Sequence, residues 1–122
     1  MPQANRQRQM IVAAAVCAAL AAPSASVAQA ADYRSCKPVS NPYAGTRYEG
    51  SDLRRIRALK VSCRTARRLA RGAHRKALGT PPPPSGIRSL TWRGWNVTGN
   101  LRGDVDRYVA RRRGGKRVRW LF

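Results

Sequence analysis

Acidic side chains are nearly missing from this chain. Its 122 residues hold five Asp and Glu against 25 Lys and Arg, a formal net charge of +20. Glu49 is the sole glutamate and His74 the sole histidine. A single histidine excludes acid–base chemistry of the two-histidine ribonuclease kind. Long apolar runs are missing too. The longest, Met10 to Ala22, has thirteen residues, whereas a membrane-spanning helix needs roughly 20. Nothing in the sequence amounts to a catalytic, cofactor-binding or metal site, so no cofactor is expected and the reading is of a non-enzymatic protein.

What is present begins with an export signal. Arg6 and Arg8 form a positive start, the alanine-rich run follows, Pro23 breaks it, and Ala28-Gln29-Ala30 has the small-residue pattern of a cleavage site. Residues 1–30 read as a Sec-type signal peptide, with the cut after Ala30 or, alternatively, Ala31. Gln7 separates the two arginines, which argues against the twin-arginine route, and Cys17 lies mid-run without the residues a lipoprotein needs before it. The expected location is therefore secreted or cell-envelope, with no integral membrane span after cleavage.

Cleavage would leave residues 31–122, one domain with a charge of +18 once Arg6 and Arg8 are removed. A domain of this size buries only about 60–65% of its unfolded surface and is marginal without a staple. Of the three cysteines, Cys17 would depart with the signal. Cys36 and Cys63 then read as one disulfide in an oxidising compartment, against free thiols or pairing between chains. One histidine and two bonded cysteines leave no zinc ligand set.

Residues 31–53 are polar and turn-rich and read as an extended arm. Residues 54–122 read as a small α+β domain. Arg54 to Val61 is a candidate strand. Ser62 is a good helix N-cap and Gly79 a good stop, and between them Cys63, Ala66, Ala70, Ala73 and Ala77 recur at helical spacing. Gly72 weakens that helix by about 1 kcal/mol relative to alanine. Residues 79–86, with four consecutive prolines, form a stiff connector. Leu90 to Thr98 reads as a strand in which Gly94 marks a bulge. Arg107 to Arg112 and Arg117 to Phe122 flank the hairpin signal Gly114-Gly115. The expected fold is one amphipathic helix packed on an antiparallel sheet of three to four strands, preceded by the arm and the signal peptide.

The run Ile56-Arg57-Ala58-Leu59-Lys60-Val61-Ser62-Cys63-Arg64-Thr65-Ala66-Arg67, followed by Gly94-Trp95-Asn96-Val97 and the Gly114 to Trp120 hairpin, resembles a group of small secreted actinobacterial proteins. In that group a V-S-C-x-x-A-R motif opens a helix and a Gly-Gly turn joins the last two strands. The likeness covers most of residues 54–122. Two cysteines that the pattern expects are missing, and Val97 and Ala110 stand near their places. Their joint loss implies that they formed a pair, which leaves Cys36 to bond Cys63. The resemblance implies a fold and an envelope location and brings no activity with it.

Two sets of arginines carry the candidate binding sites. Arg64, Arg67, Arg68, Arg71 and Arg75 line the polar side of the helix. Arg107, Arg111, Arg117 and Arg119 alternate with apolar residues on the last two strands and point away from the core. Such a field suits non-specific anionic partners: wall polymer, phospholipid head groups or nucleic acid. The competing reading is a structural or vestigial domain whose arginines reflect GC-rich codons. A membrane-active cationic protein is disfavoured, because an alanine face supplies little insertion energy. A Glu49–His74 ribonuclease is disfavoured as well, since one residue falls in the arm and the other in the helix. Trp95 and Trp120 are expected in the core, with Trp92 undecided. The sequon Asn96-Val97-Thr98 and the tripeptide Arg102-Gly103-Asp104 are short enough to arise by chance.

Overall fold

The computed structural model describes residues 32–122. The expected signal peptide, residues 1–30, lies outside the described residues. One helix, α1 (Cys63–Leu78), packs on one sheet of six strands: β1 (Arg34–Ser35), β2 (Arg54–Leu59), β3 (Ile87–Trp92), β4 (Trp95–Asn100), β5 (Arg107–Arg112) and β6 (Lys116–Leu121). The spatial order is β1-β2-β6-β5-β4-β3, and every pairing is antiparallel. The α+β class is as expected; the strand count is not.

Two corrections account for the additional strands. Leu90 to Thr98 is not one strand. Trp92 pairs with Trp95, and between them Arg93 and Gly94 both take positive φ, 46° and 85°. This is a two-residue hairpin turn of the primed type. Gly94 is its second turn residue, not a bulge. The other addition is β1, which lies within the arm and pairs Arg34 and Ser35 with Ala58 and Arg57.

Nor is the arm extended throughout. Val39 bridges to Leu53, and residues 42–50 between them form successive turns. Val39, Tyr43 and Leu53 are buried in the core. The arm thus contributes large apolar groups that the alanine face of α1 lacks.

Helix α1 starts where its cap predicts: Thr65 N donates to Ser62 Oγ at 3.1 Å. It stops at Gly79. Its buried residues are Ala66, Leu69, Ala70, Ala73, His74 and Ala77, and small side chains let it lie close on the sheet. It touches β2, β6 and β3, reaching from one side of the sheet to the opposite edge. The inner sheet face supplies Ile56, Ala58, Trp95, Val97, Tyr108, Ala110, Val118 and Trp120, all buried, so Trp95 and Trp120 are core residues. Trp92 is half-buried. Rings of Tyr108 and Trp120 stack with their planes 2° apart. Gly99 permits this arrangement, since a Cβ there would come within 2.5 Å of Tyr108 Cε1.

Cys36 and Cys63 form a disulfide, with Cα atoms 5.3 Å apart. It ties the residue after β1 to the first turn of α1. Closing a loop of this length contributes about 3.5 kcal/mol in the chain-entropy account. At the other end of α1, Arg88 is buried, and its Nη1 donates to Ala77 O, Thr80 O and Thr80 Oγ1. A guanidinium at a helix C-terminus satisfies carbonyls that have no partner inside the helix. Among the described residues no helix is long and apolar enough to cross a membrane.

Candidate anion-binding faces

The helix and all six strands contain no acidic residue. Asp32, Glu49, Asp52, Asp104 and Asp106 all fall in turns and loops. Two of them serve the arm's own turns: Asn41 N donates to Asp52 Oδ1 at 2.8 Å, and Gly45 N to Glu49 Oε1 at 2.9 Å. The arginines of the sheet therefore have no carboxylate on their own strands.

Because α1 covers one sheet face, alternation puts the other side chains on an open face. There Arg111 stands directly opposite Arg117, and Arg119 directly opposite Arg57. Arg107, Arg111, Arg117, Arg119 and Arg57 are all exposed. The structure thus brings the four sheet arginines named from the sequence onto one face and adds Arg57. Directly opposed residues have Cβ atoms about 4.5–5.5 Å apart, so each of these pairs sets two cations side by side, with Leu59, Val109 and Leu121 on the same face next to them. Tyr33 closes one side of this face. Arg119 lies 4.2 Å from the Tyr33 ring centroid. Together with Arg107, Arg111, Arg117 and Arg119, Tyr33 lines a shallow depression of ≈ 330 Å³.

The helix arginines do not form one patch. Arg64, Arg67, Arg68 and Arg71 line a groove of ≈ 610 Å³ against the arm, beside the disulfide and Lys37. Arg67 is already engaged there, with Nε donating to Lys37 O at 3.1 Å and Nη2 to Pro38 O at 3.3 Å; it pins the arm to the helix. Arg75 lines a different cleft, with Tyr43 and Tyr48.

His74 is fully buried. Tyr43 Oη and His74 Nδ1 share a hydrogen bond of 2.5 Å, and the other ring nitrogen, Nε2, has no hydrogen-bond partner. Rings of Tyr108 and Phe122 pack on it at centroid distances of 5.0 and 4.2 Å. Burial, helped by the charge of Arg88, pushes its pKa down to about 4. Burial raises Tyr43 and Tyr108 to about 12. These groups form the seam between arm, helix and sheet. Glu49 is exposed in an arm turn, where its Oε1 accepts from Gly45 N. Among the described residues no three His, Cys, Asp or Glu side chains gather as metal ligands. Asn96 and Thr98 of the sequon are exposed on the open face, and Arg102, Gly103 and Asp104 lie in exposed bends.

Sequence reasoning missed two residues of the open face. Arg57 had a readable signal, since it alternates with the apolar Ile56 and Ala58. Tyr33 had none; only the pairing of β1 with β2 brings the segment next to the sheet. Comparison of the chain with family models, with curated proteins and with solved structures gives no match.

Proposed function

We propose that this is an exported, basic, non-enzymatic protein whose open sheet face binds anionic polymers of the cell envelope without sequence specificity. The observation that carries this reading is the pair of directly opposed cross-strand arginines, Arg111 with Arg117 and Arg57 with Arg119. Like charges directly opposite one another cost a sheet stability. Here that cost has no compensating carboxylate on the neighbouring strands. A bound polyanion removes it and releases counterions on binding.

The buried state of His74 counts against a nuclease, because a general acid must reach its substrate. A membrane-active helix is disfavoured by the packing of α1, whose apolar face is alanine-rich and already covers the sheet. The rival reading is a structural or vestigial domain with no ligand, its arginines set by codon composition.

Charge reversal separates the two. Arg117→Glu with Arg119→Glu should weaken binding to heparin or to linear polyphosphate, and should lower the slope of log affinity against log salt by about 2. Arg34→Glu with Arg47→Glu, on the arm, should do much less. Equal losses for both pairs would leave net charge as the only determinant and favour the ligand-free reading. Export is checked by mass spectrometry of the secreted product, which should begin at Ala31 or Asp32; a product that retains Met10 to Ala22 contradicts it.

A further inference from the structure

The open face has two chemically different halves that share the same rows. One row runs Thr91, Asn96, Arg111, Arg117 across β3, β4, β5 and β6. The next runs Ser89, Thr98, Val109, Arg119, Arg57 across β3, β4, β5, β6 and β2. The β2–β6–β5 half holds the arginines, interspersed with Leu59, which ends the first row on β2, and with Val109 and Leu121. The β4–β3 half presents Ser89, Thr91, Asn96 and Thr98, all exposed, uncharged and able to donate and accept hydrogen bonds.

Resting on the reading above, we propose that the ligand of this face is a polyol-phosphate chain, with its phosphates on the arginines and its hydroxyls on the Asn96 and Thr98 half. Strand β5 borders β4, and its exposed arginines Arg107 and Arg111 are four residues apart, or about 13 Å. A chain whose phosphates are six bonds apart reaches about 7 Å per repeat, as two extended residues do. Two repeats of a three-carbon polyol phosphate therefore span Arg107 to Arg111 and bring the hydroxyls between their phosphates alongside Asn96 and Thr98.

Nucleic acid has the same six-bond repeat, so spacing does not separate the two. The aromatic side chains do. Proteins that hold single strands without sequence preference stack bases on free rings. Trp95, Tyr108 and Trp120 are buried on the inner face. Trp92 lies against Gly72 of the helix and is covered by Arg93, 4.7 Å from its centroid. Tyr33, at the rim of the open face, is overlaid by Arg119. What adjoins the arginines instead is a row of hydroxyls and an amide, which offer hydrogen bonds to ligand hydroxyls but no ring on which a base could stack.

The test titrates the exported chain with three probes matched in phosphate number: a synthetic glycerol-phosphate oligomer, linear inorganic polyphosphate, and oligo-dT. The glycerol-phosphate oligomer should bind tightest. Asn96→Ala with Thr98→Val should weaken it about tenfold, two hydrogen bonds' worth, and leave polyphosphate binding unchanged, with an unchanged thermal unfolding midpoint showing that the variant is folded. Equal binding of glycerol phosphate and polyphosphate, with no effect of the double variant, overturns this inference and leaves the general polyanion reading standing. Tightest binding of oligo-dT overturns it in favour of nucleic acid. Failure of all three probes to bind at low salt overturns both readings.

Discussion

Gly72 of α1 lies flat against the indole of Trp92 in β3, so close that a Cβ built on Gly72 would come within 2.1 Å of Trp92 Cζ2. Propensity alone makes Gly72 a defect in the helix. Packing makes it the position that lets the second half of α1 settle on an edge strand, because the ring sits where any side chain would project.

Gly72→Ala should therefore destabilise the protein even though it improves helix propensity. Overpacking of this kind costs about 1–3 kcal/mol, against a propensity gain of about 1 kcal/mol. Denaturant unfolding of the variant checks the sign. A more stable variant would mean that Trp92 swings aside freely.

His74 should make the fold acid-sensitive. Its pKa is about 4 in the folded protein against 6.5 ordinarily, so the unfolded chain binds more protons between those values. The stability this group contributes is present in full above about pH 6.5 and is lost as pH falls towards 4, up to about 3 kcal/mol. Asp106 acts in the opposite sense, since burial raises its pKa despite the nearby Arg88. His74→Gln removes the titration and keeps a hydrogen-bonding partner for Tyr43. Its stability should vary less across this window, and an unchanged pH profile would exclude His74 as the source.

The open face should be overcharged for stability. Arg111 faces Arg117 across β5 and β6 and Asn96 across β4. Arg111→Thr removes one like-charge contact and favours the strand, so it should stabilise the fold by about 0.2–1 kcal/mol at low salt. The gain should shrink as salt screens the pair. The same variant should bind polyanions less tightly. Loss of stability in Arg111→Thr would show that the pair is not a net cost.

Much of the local structure was legible. Ser62 and Gly79 bound α1 because caps act through neighbouring backbone groups. Gly114-Gly115 closes the β5–β6 hairpin with φ of 83° and 75°, conformations that few other residues adopt. The Arg93-Gly94 turn escaped notice because Arg is not a favoured residue at positive φ. The arm escaped for a different reason. Its turns are obvious in Asn41-Pro42 and Gly45, but the burial of Val39, Tyr43 and Leu53 needs a surface to fold onto.

The sequence by itself determined which side chains alternate and where the helix begins and ends, because both depend on the period of the backbone over a few residues. It therefore put Arg107, Arg111, Arg117 and Arg119 on a common phase. Only the tertiary structure decided what lies beside them. Strand β6 inserts between β2 and β5, which sets Arg57 against Arg119, and that order joins segments some sixty residues apart in the chain. The helix arginines share one side of a cylinder, yet the arm divides them between two clefts. Burial of His74 likewise arose from closure of the arm over α1. Periodicity acts within an element, while contacts between elements depend on how the entire core closes.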